Sequence, residues 1–187
     1  MSTATIFLIV ILALVAYIIS IYNRLVRHKN LVEEGWSGIE TQLKRRANLI
    51  PNLIETVKGY AGHEKDTLED VVRLRNQATS ATDVAERGVA EGMLTKALGK
   101  LFALAEAYPD LKANENFMQL QGALQELEDQ IQLARRYYNG TVRDMNILVE
   151  SFPSNFVAGQ FNFSRAKFFE IEEDADRAVP QVSFESD

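Results

Sequence analysis

The chain of 187 residues contains no cysteine, which excludes disulfides, thiol nucleophiles and attachment of a lipid to a cysteine. It has two histidines, His28 and His63, too few for a transition-metal site and leaving only an all-carboxylate site open. His63-Glu64 opens like a zinc-protease helix, but Thr67 stands where the second histidine ligand would be. No serine lies in a G-x-S-x-G setting and no glycine loop is built to cradle phosphate. These absences predict no catalysis, no metal, no cofactor and no identifiable small-molecule substrate. Proline and glycine are sparse, at four and ten, so little interrupts helix.

Charge is missing from one place in particular. Residues 1–23 carry none, and Ile6 to Ile19 is an unbroken apolar run of fourteen residues. Helix rises ~1.5 Å per residue, so the twenty residues Thr3 to Tyr22 cross ~30 Å of hydrocarbon. The run lacks the basic start and small-residue cleavage site of a signal peptide, and reads as an uncleaved anchor. Arg24, Arg27 and Lys29 follow it with no opposing charge before it, which predicts N-terminus out and the body cytoplasmic at the inner membrane. The formal charge of −6 belongs to the end of the chain, since Glu170 to Asp187 holds seven acidic residues and only Arg177 as a base. The neutral body offers no footprint for nucleic acid.

What is abundant is helical periodicity. Trp36, Ile39, Leu43, Ala47, Ile50, Ile54, Val57 and Ala61 keep one stripe in phase across Pro51, predicting a kinked but continuous first helix that ends near Gly59 and Gly62. A second helix is expected over about 63–80, with Leu68, Val71, Val72, Leu74 and Ala78 inward. A third over about 83–107 uses Leu94, Leu98, Leu101, Ala105 and Tyr108. The fourth carries a seam from Phe117 to Phe152 that steps by three and four without a fault. The expected fold is all-α, a transmembrane helix continuing into an antiparallel long-helix (four-helix) bundle. Its divisions are an anchor at 1–23, the bundle at 24–152, and an aromatic then acidic segment at 153–187.

Two sets of residues stand out as candidate sites. Lys44, Arg45 and Arg46 form a basic cluster suited to an acidic partner. With them go the amides Asn48, Asn52, Asn139 and Asn146, which on paired helices fix register by buried hydrogen bonds or line a binding groove. Seven of the ten phenylalanines lie at 152–184. Of these, Phe156, Phe161, Phe163, Phe168 and Phe169 are candidates for the lipid interface, with closure of the bundle end as the alternative.

Several blocks together resemble the LemA family. They are Tyr22-Asn23, Trp36, Leu43-Lys44-Arg45-Arg46, Leu49-Ile50-Pro51-Asn52-Leu53, Val57-Lys58-Gly59-Tyr60, His63-Glu64, Ala134-Arg135-Arg136-Tyr137-Tyr138-Asn139 and Phe152-Pro153-Ser154-Asn155. The resemblance implies a membrane protein of the bacterial envelope with a helical bundle and brings no established catalytic activity or binding residues. Where the family commonly has Asp before Leu-Ile-Pro-Asn, this chain has Asn48. The function expected is structural or interactive: a single-pass anchored bundle, self-associating through Ala13, Ala16 and Ser20 or engaging another membrane protein. The alternatives are a lipid-binding or membrane-shaping module using the phenylalanines, and a helical signalling relay. The bilayer is the partner implied in every case.

Overall fold

The computed structural model describes residues 2–170, whose regular structure is all helix, with no strand among them. The acidic residues beyond Glu170, together with Phe184, lie outside the described residues. Six helices occur among the described residues: α1 Thr3–Ala61, α2 Lys65–Ser80, α3 Val84–Ala105, α4 Pro109–Lys112, α5 Glu115–Glu150 and α6 Ser154–Gln160. α4 is a single turn opened by a proline at its first position, where a missing N–H costs nothing. Neither α4 nor α6 stands out in the sequence, because each is too short to show a period.

α1 begins in the charge-free segment and runs without a break through Pro51. That continuity has a visible cause. A proline has no N–H, so the carbonyl four residues earlier, on Ala47, loses its helical donor. The Arg75 guanidinium of α2 replaces it, donating through Nε to the Ala47 oxygen at 3.2 Å.

Helix ends are fixed by local chemistry. Asp83 caps α3 by accepting from the amides of Ala85 (2.9 Å) and Glu86 (3.4 Å). Asn114 does the same for α5 through the amide of Phe117 at 3.0 Å. α6 closes on Asn162, whose φ of 58° is the left-handed conformation that asparagine tolerates. The Phe163 amide reaches back to the Ala158 carbonyl (2.9 Å) and the Asn162 amide to that of Gly159 (3.4 Å), closing both orphan acceptors.

The chain forms two compact units. One comprises Met1–Leu43 with Glu128–Phe168. Its core groups Leu25 with Met145, Leu148, Val157 and Ala158, flanked by Ile21, Val32, Val149 and Phe163. The other comprises Lys44–Leu127 with, among the described residues, Phe169 and Glu170. Its core holds Ile50, Leu53, Ile54 and Val57 of α1, Leu68, Val71 and Leu74 of α2, Leu94, Leu98 and Leu101 of α3, and Phe117 and Leu124 of α5. In this unit Gly88 is required, since a Cβ there would overlap the carbonyl of Glu170.

The expected stripes are buried or half-buried with two exceptions. Val72 is exposed on α2. Phe152, expected to end the long seam, is 79% exposed, because α5 stops at Glu150 and the phase of its seam stops with it.

Candidate functional site

The basic cluster divides. Lys44 and Arg45 lie on the surface, whereas Arg46 is 1% exposed and is no part of a surface. Its Nη2 donates to Glu91 Oε2 at 2.6 Å and its Nη1 to Thr95 Oγ1 at 2.8 Å. Arg87 approaches the other oxygen of Glu91, Nε to Oε1, at 3.2 Å. The buried carboxylate is thus held between two guanidinium groups, an arrangement of structural character. Glu91 escaped the sequence reading although its signal is present: it stands in phase with Leu94, Leu98 and Leu101. Arg46 likewise falls in phase with Ile39, Leu43, Ile50 and Leu53.

The amides divide too. Asn48 and Asn52 are exposed and Asn139 is half-buried. Asn146 is buried and clamps the backbone of the segment that follows α6. Its Nδ2 donates to the Ala166 carbonyl (3.0 Å) and its Oδ1 accepts from the Ala166 amide (2.8 Å). One residue on, the Lys167 carbonyl accepts from the Tyr138 hydroxyl at 2.8 Å. Burial pushes the Tyr138 phenol above its usual value, so it remains a neutral donor. Asn146 and Tyr138 sit two turns apart on α5, and together they hold the segment around Ala166 and Lys167 along that helix.

The same segment carries Phe161, Phe163, Phe168 and Phe169, while Phe156 lies in α6 and Phe152 just before it. The left-handed turn at Asn162 brings Phe161 and Phe163 to a single residue, Tyr22, with ring centroids at 4.8 and 5.8 Å in edge-to-face arrangements. Tyr22 is the last aromatic residue of the charge-free stretch. Phe152 and Phe156 stack edge-to-face on each other at 5.9 Å, and both face outward, Phe156 at 70% exposure. Phe161 and Phe168 are exposed and Phe163 is half-buried. Phe169 is fully buried in its own unit, outside any lipid-facing group.

Between the start of the body on α1 and the post-α6 segment lies an open cleft of about 620 Å³. Tyr22, Val26, Lys29 and Glu33 form one wall, and Phe161, Asn162, Ser164 and Arg165 the other. In the second unit, α2 and α3 enclose a groove of about 420 Å³ whose charges are mixed, with Asp66, Asp70 and Arg73 facing Lys96 and Lys100. Among the described residues no group of three or more His, Asp or Glu side chains is placed to hold a metal ion.

Among the described residues none packs around the segment that precedes this site. Every residue from Ile6 to Ile19 is exposed, and only this helix, among the described residues, is long and apolar enough to cross a membrane. A helix apolar on all faces is unstable against water and is solvated by lipid. Comparison with known proteins agrees with a membrane association. The model of the LemA family matches residues 35–184. The chain is 24% identical to magnetosome protein MamQ 2 of Paramagnetospirillum magneticum, over 92% of this chain and 74% of that protein. It is 27% identical to protein LemA of Metamycoplasma hominis, over 81% and 69% of the two. Magnetosome protein MamQ of Magnetospirillum gryphiswaldense is 24% identical over 92% and 75%.

Proposed function

This chain belongs to the LemA family, and from that premise we propose that it is a membrane-anchored helical scaffold whose aromatic post-α6 segment rests in the lipid–water boundary. Its role is structural, without catalysis. The carrying observation is the packing of Phe161 and Phe163 on Tyr22. Twenty residues of helix from Thr3 to Tyr22 match the ~30 Å of hydrocarbon, so Tyr22 marks the boundary and the rings that touch it share its depth. The outward pair Phe152 and Phe156 then meets lipid rather than water, each ring gaining roughly 1.5–3 kcal/mol if fully buried.

Pairings within the first unit support an antiparallel course for α1 and α5. Leu25 clusters with Met145 and Leu148, while Trp36 lies 5.6 Å from Tyr138, so position rises on one helix as it falls on the other. In the second unit a single core joins residues of α1, α2, α3 and α5, which supports the four-helix bundle of the proposal. An anchor that stays on the chain is supported by Ile21 and Tyr22, inside the charge-free stretch, which pack on the body. The charges of Arg24, Arg27 and Lys29 favour a body on the cytoplasmic side of the inner membrane. Relatives named as magnetosome and LemA proteins fit a membrane-associated role.

The test uses the single tryptophan. In full-length protein carrying Trp36→Phe, Phe156→Trp is reconstituted in vesicles whose lipids are brominated near the top of the acyl chain. Its fluorescence is expected to fall by more than half, while Tyr137→Trp in the same background is little affected. Equal quenching at the two positions would refute the interfacial placement.

A further inference from the structure

We propose that the cleft between Val26–Glu33 and Phe161–Ala166 binds the headgroup of one anionic glycerophospholipid from the leaflet in which the span ends. The inference rests on the boundary placement of Tyr22 argued above and adds to it a defined ligand. The location argues for the occupant. Val26 lies about 6 Å and Lys29 about 10 Å along the helix from Tyr22, against a headgroup layer of about 5–8 Å on each side of the hydrocarbon. Lys29 is long enough to reach back into that layer once its exposed pairing with Glu33 is exchanged.

The chemistry fits a phosphodiester with a hydroxylated head. Lys29 from α1 and Arg165 from the post-α6 segment line the same cleft, with the Asn30 and Asn162 amides and the Ser164 hydroxyl beside them. Arg165 offers the planar fork that matches two phosphate oxygens. The acyl chains would continue from the apolar floor, Val26, Met145 and Phe163, onto the exposed apolar surface of the span. No free solute phosphate would gain from that continuity.

Two carboxylates face these cations. Lys29 pairs with Glu33 at 3.8 Å and Arg165 with Glu150 at 2.9 Å. All four side chains are more than half exposed, so both pairs are screened and easily exchanged for a phosphate. Glu33, once released, can accept from a glycerol hydroxyl.

The experiment is native mass spectrometry of the full-length chain ejected from micelles holding equal amounts of phosphatidylglycerol and phosphatidylcholine with the same acyl chains. One phosphatidylglycerol is expected to stay bound, at least fivefold over phosphatidylcholine. Lys29→Ala with Arg165→Ala should bring that ratio near one, and Lys29→Arg with Arg165→Lys should restore it. Arg24→Ala with Arg27→Ala, changing exposed charges outside the cleft, should keep most of the preference. The proposal is overturned by equal retention of the two lipids, by an unchanged ratio in the double alanine variant, or by equal loss in the Arg24 and Arg27 control. A chain that shows bromine quenching at position 156 yet no headgroup preference refutes the cleft and leaves the interfacial placement standing.

Discussion

Arg46 and Glu91 show how much one residue's environment changes its meaning. Beside Lys44 and Arg45 in the sequence, Arg46 reads as surface charge, yet it is among the largest fully buried side chains. A buried ion pair contributes little against a well-packed apolar pair, but removing one partner strands the other charge. Arg46→Met is therefore expected to destabilise by about 3 kcal/mol, moderated by Arg87, which still neutralises Glu91. Arg46→Met with Glu91→Leu should recover to within about 1 kcal/mol of the native chain, measured by thermal melting of the helical circular dichroism in detergent. An additive double variant would mean that the two residues act separately. The pair was legible in principle. Each member keeps the phase of an apolar stripe, and opposite charges in two such stripes are candidates for one another. What the sequence lacks is the pairing itself, because nothing local says which stripe faces which.

Among the elements, α1 is the one whose extent the sequence gives most fully. Its stripe keeps phase through Pro51, and the helix does the same. The compensation came from elsewhere. Proline's missing amide identifies Ala47 as the orphaned acceptor by simple counting, but no count identifies Arg75 as the donor. Arg75→Met should cost about 1–3 kcal/mol in the native background and less than about 0.5 kcal/mol in a Pro51→Ala background, where the restored amide supplies the bond. Denaturation of the four proteins closes the cycle, and equal costs in both backgrounds would separate Arg75 from Pro51. α5 is the opposite case at its end. The seam pattern continues to Phe152 while the helix stops at Glu150, since periodicity marks what a helix would bury and not where the chain leaves it. The short α6 and its left-handed Asn162 were invisible for the same reason, although they aim Phe161 and Phe163 at Tyr22.

For the whole molecule the absence of cysteine becomes a tool. Self-association through the face of Ala13, Ala16 and Ser20 predicts disulfide-linked dimers when Ala16→Cys is oxidised in membranes, and far fewer with Ile18→Cys on the opposite face. No dimer at position 16 would remove the span as the contact and leave association, if any, to the body. Small side chains there let helix backbones approach closely without a hydrophobic driving force.

Composition and order along the chain determined the long apolar N-terminal helix, the all-helical class and the stripes, because apolar runs and helical period act on consecutive residues. The same reasoning marks Arg46 by its phase but names no partner for it, and it does not divide Phe156 from Phe169. Those distinctions arise where segments distant in sequence meet: Arg46 finds Glu91, Ala47 finds Arg75, and Phe161 finds Tyr22. Tertiary structure decided them, because burial of a charge or exposure of a ring depends on what stands opposite, and only the folded chain sets that neighbour.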